Sequence, residues 1–237
     1  MSSKFLIIFP LVCFFNLIGF GFDSNKSNSL QNSEFSADDI KSSLNGGCKF
    51  LLEIQNPDGS WGSARQTKGL NIFAPVPGSH RAFRLAVTAL SISALLEIKS
   101  SDIKYSECLA KGKEYLLEKL PNLRRASPMA LYNVWAHAYG LQALSRMYEN
   151  SDKKILKKKI HEIMKQQIKM LETYESIDGG WGYYDFNAQT KQPSGSSISF
   201  VNATGLVGLK EAQLSGIEVP EKLVKRALDA IRRQRLP

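Results

Sequence analysis

The chain has 237 residues, 43% hydrophobic and 22% charged, a balance that supports a large folded core and excludes long disorder. Its 17 Gly follow no G-X-Y period, which excludes collagen, and its three Cys form no C-x-x-C pair, which excludes a disulfide scaffold or a structural zinc knot. The net charge of +9 is densest at Lys153, Lys154, Lys157, Lys158 and Lys159, a run that reads as a solvated helix face and not as a nucleic-acid surface.

Residues 1–21 have the form of a signal peptide: Lys4, then an apolar run interrupted by Pro10 and Asn16, then Gly19 and Gly21 before Asp23. The Pro and the short length argue against a stable membrane span, so a cleaved signal is favoured over an anchor. The expected location is secreted or periplasmic. Residues 22–35 are rich in Ser and Asn and read as a flexible leader, which places the folded domain at 36–237. Ser36 followed by Ala-Asp-Asp is an N-cap signature, and Ile40, Leu44, Phe50, Leu51 and Ile54 mark the first amphipathic helix. The spacing predicts further helices over residues 83–98, 105–120, 130–148, 153–174, 197–214 and 221–233. Alternation long enough for a sheet is missing throughout, so the fold class is all-α.

The helices alternate in chemistry. The first, third, fifth and seventh have a wet face, whereas the second, fourth and sixth are apolar or small nearly all round, as in Thr88-Ala-Leu-Ser-Ile-Ser-Ala-Leu. A helix without a wet face must be buried or line an interior, so two layers are expected, an inner and an outer one. Their connections repeat as well. The run Gln55-Asn-Pro-Asp58-Gly59-Ser-Trp61-Gly62 recurs 120 residues later as Glu175-Ser-Ile-Asp178-Gly179-Gly-Trp181-Gly182. Between them, Leu116-Leu-Glu-Lys-Leu-Pro-Asn resembles the approach to the motif but lacks Asp-Gly-x-Trp, and Ile231-Arg-Arg-Gln starts another copy. Stacked repeats need caps or closure, so the chain reads as an incomplete array, truncated at the C-terminus, with Leu90, Leu95, Leu206 and Leu209 expected to be partly uncovered.

A Q-x-x-D-G-x-W turn between an outer and an inner helix resembles the repeat of squalene and terpenoid cyclases and of protein prenyltransferases. The resemblance spans residues 36–237 and implies an α/α toroid, helical hairpins arranged in inner and outer rings. The runs Ala130-Leu-Tyr-Asn-Val-Trp-Ala-His-Ala-Tyr-Gly and Asp178-Gly-Gly-Trp-Gly-Tyr-Tyr-Asp-Phe are most similar to secreted bacterial proteins of that group. Within the motif a structural role is expected for Gln55, Asp58, Gly59, Trp61, Asp178, Gly179 and Trp181. Asp-Gly makes a tight turn, the Asp carboxylate can bond free amides at a helix start, and Trp can stack on the Gln amide.

The chemistries of the active relatives leave no complete signature. A cyclase needs a D-x-D-D cluster, and only Asp38-Asp39 comes near it. A prenyltransferase zinc site needs D-x-C, and a thioester domain needs C-G-E-Q; neither is present. No metal site and no cofactor are expected, and the enzyme question stays open. The leading expectation is a toroid-repeat protein binding a polar or anionic ligand, or a partner, at the toroid mouth. The alternative is an enzyme of the same fold, a polysaccharide lyase or a terpenoid cyclase-like isomerase, with part of its site beyond Pro237. The long connections 62–81 and 182–196 would open at that mouth, where helix amino ends favour negative charge. Its ligand candidates are His80, Arg81, Arg84, Tyr132, Asn133, Trp135, His137 and Asp185, with Tyr183 and Tyr184 beside them. His137 equally fits a hydrogen-bonded core residue, and Trp135 and Tyr139 fit packing. Cys48 and Cys108 fall on neighbouring outer helices, where both a disulfide and two thiols remain compatible with the sequence.

Overall fold

The computed structural model describes residues 36–63, 78–98, 100, 102–185, 192–193 and 197–235. The predicted signal peptide and leader, and most of both long connections, lie outside them. Seven α-helices follow one another: α1 (Ala37–Glu53), α2 (His80–Ile98), α3 (Ile103–Lys119), α4 (Asn133–Glu149), α5 (Lys154–Thr173), α6 (Ser199–Leu214) and α7 (Glu221–Arg233). Among the described residues no strand forms, so the fold is all-α. No helix of these residues is long and apolar enough to cross a membrane.

Side-chain caps set the starts of α1 and α3. Ser36 closes a full capping box on α1: its Oγ accepts from Asp39 N at 3.1 Å, while the Asp39 carboxylate accepts from Ser36 N at 3.0 Å. Asp102 caps α3 by accepting from Lys104 N at 2.7 Å, which starts that helix earlier than its apolar spacing suggests. The start of α4 moves the other way. Residues 130–132, read from the sequence as helical, are instead held outside the helix. Leu131 N donates to Tyr183 O at 2.7 Å and Asp185 N donates to Met129 O at 3.0 Å, an antiparallel bridge between two distant connections.

The wet and dry helices take different places. α4 packs between α2 and α6, with α5 on its other side, and has a fully buried flank in Val134, Ala136, Leu141, Ala143 and Leu144. α3, α5 and α7 bury one stripe each, such as Ile160, Met164 and Leu171 of α5. α1 buries none of its residues: Ile40, Leu44 and Phe50 are exposed, although they mark its apolar side. Of the four leucines expected to be partly uncovered, Leu95 and Leu209 are buried instead, because α2 and α6 both pack on α4 and Tyr105 of α3 also reaches over to Leu95 O. Leu90 is exposed and Leu206 half-buried, as expected.

Candidate functional site

The two motif copies build the frame around the site. In each, the indole N–H reaches back ten residues to the end of the preceding helix: Trp61 to Leu51 O and Trp181 to Leu171 O, both at 2.8 Å. Their backbone N–H groups are held from the next central helix, Trp61 by Thr88 Oγ1 at 3.0 Å and Trp181 by Asn202 Oδ1 at 2.6 Å. Both rings are fully buried, and each lies against a glycine, Gly112 for Trp61 and Gly205 for Trp181, where a Cβ would approach within 2.5 and 2.6 Å. Gly59 and Gly179 have φ of 85° and 92° and press on the backbone of Lys111 and Arg226.

Two expected details of the motif are different. The Gln55 amide donates to Gly59 O at 2.9 Å and to Cys108 O at 2.8 Å, so it ties α1 to α3. In the second copy Glu175 takes that place and pairs with Arg226 Nε at 2.6 Å, tying α5 to α7. Asp58 caps its own turn, not a helix start: its Oδ1 accepts from Ser60 N at 3.1 Å and Ser60 Oγ at 2.6 Å. In the degenerate middle copy, Leu120 fills the gap against Gly140 and is fully buried.

Above this frame the amino ends of α2, α4 and α6 meet in one aromatic cluster. Phe83 lies 5.0 Å from Tyr132, and Trp135 is stacked on Tyr139 at 5.6 Å and on Phe200 at 5.9 Å. Tyr183 joins Trp135 at 5.8 Å and Phe200 at 5.7 Å, and Tyr184 meets Tyr132 edge-on at 5.5 Å. The bridge that delays α4 is what delivers Tyr183 and Tyr184 here. Tyr132 is buried, Trp135, Tyr139 and Tyr183 are half-buried, and Phe83, Tyr184 and Phe200 are exposed. The cluster therefore presents ring faces and phenol hydroxyls to solvent while its base is packed. Burial raises the Tyr132 phenol above its ordinary pKa, and its hydrogen bond to Tyr184 adds to this. Burial also raises Tyr183. These phenols stay protonated at neutral pH and act as hydrogen-bonding groups, not bases.

Val87 and Leu90 continue the open face along α2, and on α4 the half-buried Arg146 follows beyond buried Gln142. At its far end Arg146 joins Glu97 of α2 at 3.4 Å and Glu211 of α6 at 3.0 Å, clamping the three central helices.

The eight ligand candidates divide accordingly. Tyr132 and Trp135 belong to the cluster. His80 and Arg81 are exposed on the first turn of α2, one turn or less from Phe83. Arg84 is directed to the motif, with its guanidinium 3.5 Å from Asp58 Oδ2. Asn133, His137 and Asp185 are buried. His137 Nδ1 lies 2.7 Å from Gln167 Oε1 and its Nε2 lies 3.3 Å from Asn133 Nδ2, while its ring stacks on Tyr174. Burial pushes its pKa down to about 4, so it is neutral, donating from Nδ1 and accepting at Nε2. Asp185 faces Arg125 at 3.6 Å. Phe83 and Phe200 were not singled out by sequence; the available signal is their shared place on the first turn of a dry helix. Cys48 and Cys108 are both free thiols.

No family model matches the chain, and neither a curated protein nor a solved structure matches it.

Proposed function

We propose that this chain is an exported α/α-toroid repeat protein that binds a ligand on the aromatic cluster at the amino ends of α2, α4 and α6. The arrangement in inner and outer layers is supported by the alternation of dry and wet helices and by the matching Trp61 and Trp181 turns. One observation carries the binding role: seven rings from three helices and a distant connection are in mutual contact, yet Phe83, Tyr184 and Phe200 remain exposed. Large apolar groups gathered and left open mark interaction sites more often than packing. The ligand such a surface accepts has a flat or apolar face for the rings and a polar edge for the phenols. Arg81 and the helix amino ends favour negative charge on that edge.

Trp135 makes the reading testable. Of the three tryptophans it alone is half-buried, so it alone reports contact from solvent by its fluorescence. Titration with oligogalacturonides and with a solubilised polyprenyl phosphate should give a saturable change with one of them. Trp135→Phe should abolish the signal, and Tyr184→Ala should weaken binding by about tenfold, roughly the value of one aromatic contact. No response to either class refutes the proposal. For export, amino-terminal sequencing of the extracytoplasmic protein should begin at Phe22.

A further inference from the structure

The lysine run at the start of α5 is the densest cluster of cations among the described residues. Lys153, Lys154, Lys157, Lys158 and Lys159 are accompanied over residues 152–159 by a single carboxylate, Asp152. None of the five joins an ion pair among the described residues, whereas Lys165 and Lys169 on the same helix pair with Glu162 and Glu172, each at 3.3 Å. Lys157 lies over the Tyr148 ring at 4.5 Å, which holds one ammonium against the surface. The helix adds to the charge: its first turn has no acidic residue and Lys153 provides no side-chain cap, so the positive end of the dipole coincides with the cations.

Among these lysines stands Ile155, 88% exposed and the most exposed large apolar side chain of the described residues. With Leu156 and Lys153, Lys154 and Lys159 it lines a shallow hollow of about 520 Å³. Helical spacing puts Ile155 beside Lys158 and Lys159, on the side of α5 away from buried Ile160, Ile163 and Met164. A soluble polyanion satisfies the lysines but leaves Ile155 in water. An anionic bilayer satisfies both, with phosphates at the ammonium groups and the isoleucine at the acyl boundary.

We infer that the amino end of α5 is a docking surface for an anionic phospholipid membrane, with the lysines supplying attraction and Ile155 inserting. This surface is separate from the aromatic cluster and does not rest on the ligand-binding proposal. Co-sedimentation with vesicles tests it. The protein should bind vesicles of phosphatidylcholine with phosphatidylglycerol far better than pure phosphatidylcholine, and 0.5 M salt should release it. The triple variant Lys154→Gln, Lys158→Gln, Lys159→Gln should lower partitioning ~100-fold, at about fivefold for each lysine near the surface. Ile155→Ser should lower it severalfold, and Lys165→Gln with Lys169→Gln should change it little. All of these positions are exposed, so circular dichroism should show unchanged helix content in every variant. Equal binding to neutral vesicles overturns the inference, as does binding to a soluble polyanion such as polygalacturonate that Ile155→Ser leaves intact while vesicle binding is missing.

Discussion

The indole N–H of Trp61 donates to the carbonyl oxygen of Leu51 at 2.8 Å, ten residues back in the chain. Trp181 repeats the bond to Leu171 at the same length, although its backbone N–H is held by Asn202 where that of Trp61 is held by Thr88. The bond uses a carbonyl left free at a helix end and fixes the exit direction of the chain toward the next central helix. Trp61→Phe keeps the apolar plate but orphans a carbonyl, and should cost about 1–3 kcal/mol in urea unfolding. Trp61→Ala should cost about 3–5 kcal/mol, because it also empties a fully buried site. No loss in Trp61→Phe would show that the hydrogen bond contributes nothing, and equal losses for the two variants would show that the buried ring contributes nothing beyond it.

Gly59 and Gly46 should respond in opposite directions to alanine. At Gly59 the φ is 85° and an added Cβ meets Lys111 O at 2.5 Å, so Gly59→Ala should destabilise by about 1–3 kcal/mol. Gly46 lies within α1 with nothing inside 4 Å, so Gly46→Ala should stabilise by about 0.5–1 kcal/mol through helix propensity. Thermal melts of the two variants check both signs.

His137 should make stability fall with acid. Its folded pKa of about 4 lies below the ordinary value of 6.5, so between these values the unfolded chain binds the proton and the folded chain does not. Stability is therefore fully present above pH 6.5 and is lost as pH falls toward 4, by an amount on the order of 3 kcal/mol. Urea unfolding at pH 7 and pH 4.5 measures it. His137→Gln should remove most of this pH dependence at the cost of lower stability at pH 7, and an unchanged dependence would exclude His137 as its source.

Arg146 should act as a charge clamp whose loss depends on pH. Burial already pushes the Glu211 carboxyl up, and Arg146 opposes that rise. Arg146→Met should cost about 1 kcal/mol at neutral pH, since both partners retain some solvent. Without the guanidinium, Glu211 rises further above its unfolded value. A raised carboxyl has its stability present at low pH and loses it as pH rises through the folded pKa, so the defect should be smaller at pH 5 than at pH 8. A pH-independent defect would assign the effect to packing alone.

Helices, their alternation and the paired turns were legible in the chain because each is a local property. Apolar spacing marks α2 to α7 within a few residues, Ser36 announces α1, and the repeat of Asp-Gly-x-Trp needs only comparison of the chain with itself. A structural role for Trp61 and Trp181 was expected from residue type, as apolar plates stacked on the Gln amide, whereas the bond from each indole N–H to a helix-end carbonyl was not. The partners did not follow. Arg84 turning to Asp58, Leu95 being buried, and α1 exposing Ile40 and Leu44 all depend on which helix lies beside which.

The same division holds at the site. From sequence alone, aromatic and titratable residues collect near the starts of the dry helices, and the lysine run stands out by composition. Only the tertiary structure decided that Tyr132, Trp135, Tyr183 and Phe200 share one cluster while Asn133, His137 and Asp185 are buried. The deciding contact is the bridge from Leu131 to Tyr183, formed by two segments 52 residues apart. Spacing along a helix determines which side chains share its face, but exposure of that face is set by neighbours that arrive from elsewhere in the chain.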